Sequence, residues 1–261
     1  MRILFYGDIV GKVGRNAIHL SLPRLVNKYQ IDFVIANGEN ASHGKGLLEK
    51  HYKELIDDGV DCLTLGNHWH SKAQIDSYID EADQLVRPLN LLKYPHGVGS
   101  ALFGVGGIPI RVTNILLQSF MTEEVEHPVS SLKKLLLEEN EPCIHFVDIH
   151  GESTSEKQIF AYEFEGLVTA IVGTHTHVQT NDARILEGGT AYLSDVGMCG
   201  DPDGVIGFER KSVMNKILGG QTGAFQIDEN AKMMVNACII DIDDDTFEAT
   251  KIQTIHQIVE R

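Results

Sequence analysis

The chain predicts an α/β fold with two stacked sheets flanked by helices. Three features predict it. Short apolar runs alternate with helical patterns over the first third, glycine-punctuated β runs occupy the middle, and the last segments are mostly strand-like. Residues 3–6, 33–36 and 62–65 are apolar and β-type, and residues 15–29 and 48–57 between them have helical spacing. This is the rhythm of βαβ units with parallel strands, which places ligands at the strands' carboxyl ends. From 97 to 117, Gly106-Gly107 before Ile108-Pro109 predicts a hairpin with antiparallel strands. A helix over 127–139 leads to a strand over 143–149 that ends at His150-Gly151. Ser153 then predicts a helix cap, with Glu156 as its reciprocal partner. Residues 167–172 read as a buried strand, and 191–194, 223–227, 234–240 and 247–255 as further strands.

No composition shift, linker or internal repeat divides residues 1–261, so a single domain is expected. The formal charge of −15 disfavours long nucleic acid as a partner, unless bound divalent ions supply a local positive centre. The acidic tract from Asp241 to Asp245 reads as a solvated turn between strands. Cys62, Cys143, Cys199 and Cys238 form no C-x-x-C pair, and three lie in apolar runs, as reduced core thiols do. The chain reaches Gly7-Asp8 too early for a signal-peptide core, and no apolar run approaches about 18 residues. A cytoplasmic protein with no membrane partner is expected, and the sequon at Asn40 is accidental in that compartment.

Candidate ligands cluster where strands end. His175 and His177 follow a β run at alternate positions, so in an extended chain both rings would face one spot, a candidate metal site. Asp8, Glu39, Asn67 and His150 also follow apolar runs. Around Asp8 the spacing is G-x-x-x-G-x-x-G, wrong for a dinucleotide fingerprint, with a carboxylate where pyrophosphate would approach; the alternative is an Asp that caps the next helix. Glu39 in Asn-Gly-Glu-Asn is either a carboxylate with a cation nearby or an exposed loop residue. Gly66-Asn67-His68 offers a carbonyl oxygen beside an imidazole, so one can ligate while the other handles protons. His70 has no evident partner and reads as a surface residue or one that supports a ligand from behind, and His19, His43, His51, His96, His127, His145 and His256 read the same way.

The blocks GDIVG, NGEN, GNHWH, DIHGE and GTHTH together resemble the binuclear, calcineurin-like metallophosphoesterase superfamily, over Asp8 to His177. The match departs from the superfamily pattern in four places. No histidine follows Asp8 as in G-D-x-H, Glu39 replaces the bridging Asp, Trp69 replaces the acid after G-N-H, and Thr174 separates Gly173 from His175. That combination is similar to the YmdB-like phosphodiesterase branch, as is the later stretch from Asp195 to Gly200, to which no chemistry is assigned. The resemblance implies a four-layer αββα sandwich with two mixed sheets, and two divalent metals. It assigns Asp8, Glu39, Asn40 and His177 to one metal and Glu39, Asn67, His150 and His175 to the other, with Glu39 bridging and His68 as proton donor to the leaving group.

Two metals roughly 3.5 to 4 Å apart can share a bridging hydroxide as the nucleophile, and neutral Asn and His ligands keep the pocket positive toward phosphate. A nitrogen and oxygen donor set without thiolate suits iron, manganese, zinc or cobalt, and the resemblance favours iron or manganese. It also implies small cyclic nucleotides, 2′,3′ or 3′,5′, as substrates. The ligand residues alone fit a phosphomonoesterase, nucleotidase or nuclease equally well, and a degenerate fold serving as a regulatory scaffold is the reading from another class. Whether the chain forms a homo-oligomer is left open.

Overall fold

The computed structural model describes residues 1–138 and 141–260. In chain order, β1 (Arg2–Tyr6), β2 (Asp8–Ile9), α1 (Gly11–Tyr29), β3 (Phe33–Asn37), α2 (Glu49–Asp57), β4 (Cys62–Thr64) and β5 (Leu85–Val86) build the first third. There follow β6 (Ser100–Val105), β7 (Ile108–Leu116), α3 (Pro128–Glu138), β8 (Ile144–His150), α4 (Thr154–Glu163) and β9 (Ala170–Thr174). The remainder is β10 (Arg184–Ile185), β11 (Ala191–Leu193), β12 (Met198–Cys199), α5 (Arg210–Ile217), β13 (Met233–Ile242) and β14 (Ala249–Val259).

One sheet runs β14-β13-β1-β3-β4-β5, with β1, β3, β4 and β5 parallel and the β13–β14 hairpin antiparallel at one edge. The other runs β10-β11-β9-β8-β7-β6, parallel from β11 to β7 with antiparallel strands at both edges. Alternation along each strand sorts side chains into layers. Ile3, Phe5 and Ile35 face Ile110, Phe146 and Val172 between the sheets, where the Phe5 and Phe146 rings meet edge to face at 4.9 Å. Leu4, Tyr6 and Val34 point the other way, onto Val13, Ile18 and Leu22 of α1. Val147, Ile149 and Ile171 pack under Leu132 of α3 and Phe160 of α4. The expected four-layer αββα sandwich is therefore the observed one. No described helix is long and apolar enough to cross a membrane.

Several local expectations change. Helix α1 begins at Gly11 rather than residue 15, and the glycines at and before its first turn serve close packing: a Cβ on Gly14 would lie 2.4 Å from the Cys199 carbonyl oxygen, and one on Gly7 1.9 Å from that of Gly197. Residues 223–227 form no strand: Gly223 has φ +133°, and the Gln226 carbonyl and N–H are taken by the Glu209 N–H and the Ser212 hydroxyl at the start of α5. Leu167 is exposed and the strand begins at Ala170. Ser153 does cap α4 by accepting the Glu156 N–H, but the Glu156 carboxylate instead accepts the N–H groups of Gln118 and Ser119. Asp241 belongs to β13 and pairs with Arg2, leaving the turn to Asp243, Asp244 and Asp245. Helix α3 matches expectation through Glu138, and residue 139 lies outside the described residues.

Phe146 is fully buried at the centre of the intersheet layer. Phe146→Ala is expected to cost about 3 to 5 kcal/mol by chemical denaturation, and a loss under about 1 kcal/mol would contradict the packing described.

Candidate metal centre

Every candidate ligand emerges at the same end of the two sheets. Asp8 lies on β2, which pairs in parallel with β12, so the stretch from Asp195 to Gly200 supplies the strand that fixes Asp8. The Asp8 N–H donates to the Gly197 carbonyl at 3.0 Å, an approach that Gly7 alone permits. Asp8 does not cap α1: Val10 occupies that position, with no side-chain bond. Glu39 is 1% exposed, so it is no loop-surface residue. Its backbone N–H donates to Asn37 Oδ1 at 3.2 Å, while its Oε2 accepts the His68 N–H at 2.8 Å.

Two groupings share Glu39. In one, the Asn40 amide nitrogen lies 3.0 Å from Glu39 Oε1, 3.1 Å from His177 Nε2 and 3.3 Å from Asp8 Oδ1. In the other, His150 Nε2 lies 2.9 Å from Asn67 Oδ1, 3.0 Å from His175 Nδ1 and 3.3 Å from Glu39 Oε1. One ligand atom from each of Glu39, His150 and His175 falls within 4.8 Å of the others, a spacing that can hold a metal ion. The extended-chain argument for the two histidines fails. His175 has φ +104° and His177 φ +65°, and these left-handed turns send the rings to adjacent positions, one in each grouping.

Bonds to the far ring nitrogens aim the imidazoles. His177 Nδ1 donates to the Ile206 carbonyl at 2.9 Å, turning Nε2 toward Asp8. His150 Nδ1 donates to Thr174 Oγ1 at 2.9 Å, and Thr174 in turn donates to Asp148 Oδ1 at 2.7 Å. Asp148 also accepts from Thr64 Oγ1 at 2.5 Å and Asn37 Nδ2 at 3.1 Å, so it joins both sheets beneath the cluster. Burial pushes its carboxyl up to about 6 against those bonds. Asp148 and Thr174 were missed in the sequence; the only signal was a carboxylate inside the apolar run before His150.

The electrostatics call for positive charge. Burial opposes ionisation of Glu39, yet His150 and His68 outweigh it and hold the carboxyl well below its ordinary range. Asp8 is likewise lowered by His177 and His150 despite its burial. In return Asp8 overcomes the burial of His177 and raises that ring to about 9, and Glu39 raises His150. His175 is depressed to about 4 by burial and by the neighbouring His150. Among the described residues neither carboxylate pairs with a lysine or arginine; the imidazoles stand where a cation would balance them. The remaining histidines make contacts elsewhere, as His70 does with Asp76, His145 with Thr113 and His51 with Ser42.

The sequence profile of the YmdB-like protein family matches residues 4–255. The chain belongs to that family. It is 42% identical over 257 residues to the 2′,3′-cyclic-nucleotide 2′-phosphodiesterase of Bacillus subtilis strain 168, covering 98% of this chain and 96% of that protein. The crystal structure of a novel phosphatase from Mycoplasma pneumoniae superposes with a TM-score of 0.92 at 39% identity, covering 99% of this chain and 93% of the other. A 5′-nucleotidase precursor from Thermus thermophilus shares the fold at TM-score 0.56 and 13% identity, over 99% of this chain and 54% of its own.

Gly66 gives the cluster its clearance, since a Cβ there would lie 2.4 Å from Glu39 Oε2 and 2.5 Å from the His150 ring. Gly66→Ala is expected to weaken Mn²⁺ binding about 10- to 100-fold by calorimetry with unchanged far-UV circular dichroism. Parent-like affinity would show that the crowding is absorbed without moving either residue.

Proposed function

We propose that the chain is a metal-dependent phosphodiesterase of small cyclic nucleotides, the 2′,3′-cyclic class foremost, working in the reducing cytosol where its four cysteines stay as thiols. The observation that carries this reading is the burial of two carboxylates among three imidazoles and two amides, with no lysine or arginine among the described residues to balance them. Asp8, Glu39, Asn40 and His177 would hold one divalent ion, and Glu39, Asn67, His150 and His175 the other, Glu39 being shared. With the Asn40 amide turned so that its oxygen replaces the nitrogen now facing Asp8, Glu39 and His177, the donors would be oxygens and imidazole nitrogens without thiolate, which suits iron or manganese, and also zinc or cobalt. When bound, such a pair supplies Lewis acidity toward the phosphoryl oxygens and activates water at neutral pH.

His68 is the proposed proton donor, and its surroundings support that reading. Its backbone is fixed on Glu39, and its ring Nδ1 lies 2.8 Å from Asn40 Oδ1. The other ring nitrogen bonds to no described residue, and the side chain keeps 26% of its surface exposed, so that nitrogen is free to meet a departing ester oxygen. The substrate class rests on the B. subtilis relative's name and on the fold, and two divalent ions at the cluster would attract an anion within a chain of net charge −15.

Turnover of 2′,3′-cyclic nucleotides, abolished by a chelator and restored by Mn²⁺ or Fe²⁺, is the expected result. Faster hydrolysis of p-nitrophenyl phosphate than of its bis ester or any cyclic nucleotide would replace this reading with a phosphomonoesterase. His68→Ala should retain the parent's metal content while turnover falls by about 10²- to 10⁴-fold. Loss of metal from that variant would move His68 from proton transfer to ligation.

A further inference from the structure

We infer that the buried ion pair Lys157–Asp195 positions both histidines of the 174–177 turn, a role that rests on their reading as metal ligands. Lys157 on α4 and Asp195 before β12 are 1% and 2% exposed at their side chains, 3.0 Å apart. Lys157 Nζ also donates to the Thr174 carbonyl at 2.8 Å. Asp195 Oδ2 accepts the Thr176 N–H at 3.0 Å, and its Oδ1 accepts the Gly197 N–H at 2.9 Å. The carbonyl just before His175 and the N–H just after it are thus held by one pair of charges, while the His175 N–H itself donates to Asp8 Oδ2 at 3.1 Å.

That capture matters because the turn is unfavourable by itself. Both histidines have positive φ, a conformation that non-glycine residues keep only when the surroundings over-determine it. The approach is tight as well: a Cβ on Gly173 would lie 1.8 Å from the Ser194 carbonyl oxygen and 3.0 Å from Lys157 Cδ. Through Gly197, Asp195 also anchors the residue whose carbonyl accepts the Asp8 N–H. A single carboxylate therefore sets the relative placement of Asp8, His175 and His177, which belong to both ion positions. A buried ion pair adds little stability over apolar residues of similar size, so stability does not explain why this one is charged. Its directed bonds to three backbone groups do. Lys157 and Asp195 are positioning residues; no bond joins either side chain to that of a proposed ligand.

The test replaces both charges, Lys157→Met with Asp195→Leu, a change that removes the bonds without leaving a buried charge unpaired. A folded variant is expected to bind Mn²⁺ about 10- to 100-fold more weakly by calorimetry and to show altered visible absorption bands when loaded with Co²⁺, which reports ligand geometry. The single variant Asp195→Asn, which keeps an acceptor for one of the two N–H groups, should shift both readouts partway. It decides the matter alone should the double variant not fold. Parent-like affinity and Co²⁺ bands in the folded variants would overturn the inference while leaving the metal reading intact. A parent chain that binds neither Mn²⁺ nor Co²⁺ would overturn that reading, and this inference with it.

Discussion

The carboxylate of Asp148 is the tie on which the site's geometry depends. It sits fully buried in β8 and accepts from Asn37 and Thr64 of one sheet and Thr174 of its own, so a single side chain spans the seam between the two sheets. Apolar packing alone fixes the spacing of the sheets but not their sliding, because dispersion and burial are non-directional. Directed bonds joining β8 to β3, β4 and β9 fix that sliding at the end where the ligand residues emerge. Thr174 carries the constraint onward to the His150 ring, converting sheet alignment into the orientation of an imidazole.

Glycine clearance performs the complementary task. At Gly7, Gly66 and Gly173 any side chain would collide with a backbone carbonyl or with Glu39 and His150, so these glycines let strands and loops come closer than other residues permit. The same reasoning accounts for the glycines of G-x-x-x-G-x-x-G after β1 without a dinucleotide. Gly7 and Gly14 face the carbonyls of Gly197 and Cys199, and the pattern records packing against β12. The close approach leaves little room for relaxation, which is how two left-handed histidines persist side by side.

Most of the fold and the gathering of the candidate site residues were legible in the chain because each was marked locally. A β run of four or five residues ends and a ligand-type side chain follows, and period-two alternation within the runs already encodes which face meets the other sheet and which the helices. What stayed hidden depends on partners distant in the chain. Asp148 binds Thr64 and Asn37 across 84 and 111 residues, and Lys157 meets Asp195 across 38. Asp148 looks like any alternating strand residue until the second sheet is in place. Residues 223–227 fail because their pattern suits a strand while their backbone is used elsewhere: the Gln226 carbonyl accepts the Glu209 N–H and its N–H donates to the Ser212 hydroxyl at the start of α5. The left-handed backbone at His175 and His177 was equally invisible, since it is imposed by Asp8 and Asp195 rather than preferred by the residues themselves.

Charge distribution then limits what such a site can serve. The chain carries a net −15, so a long polyanion lying across it would bring many phosphates against a repelling surface for the sake of one at the cluster. A small phosphodiester meets only the local field. There the demand is reversed, because two buried carboxylates have raised the affinity of His150 and His177 for protons, and a pair of divalent cations taking that place would bring more positive charge than the two carboxylates cancel. The amides of Asn40 and Asn67 line the two groupings without adding negative charge, which keeps the balance positive where a third or fourth carboxylate would abolish it. On the proposed function, selection for a compact anion would follow from the contrast between a chain of net charge −15 and a buried cluster whose carboxylates divalent cations would neutralise.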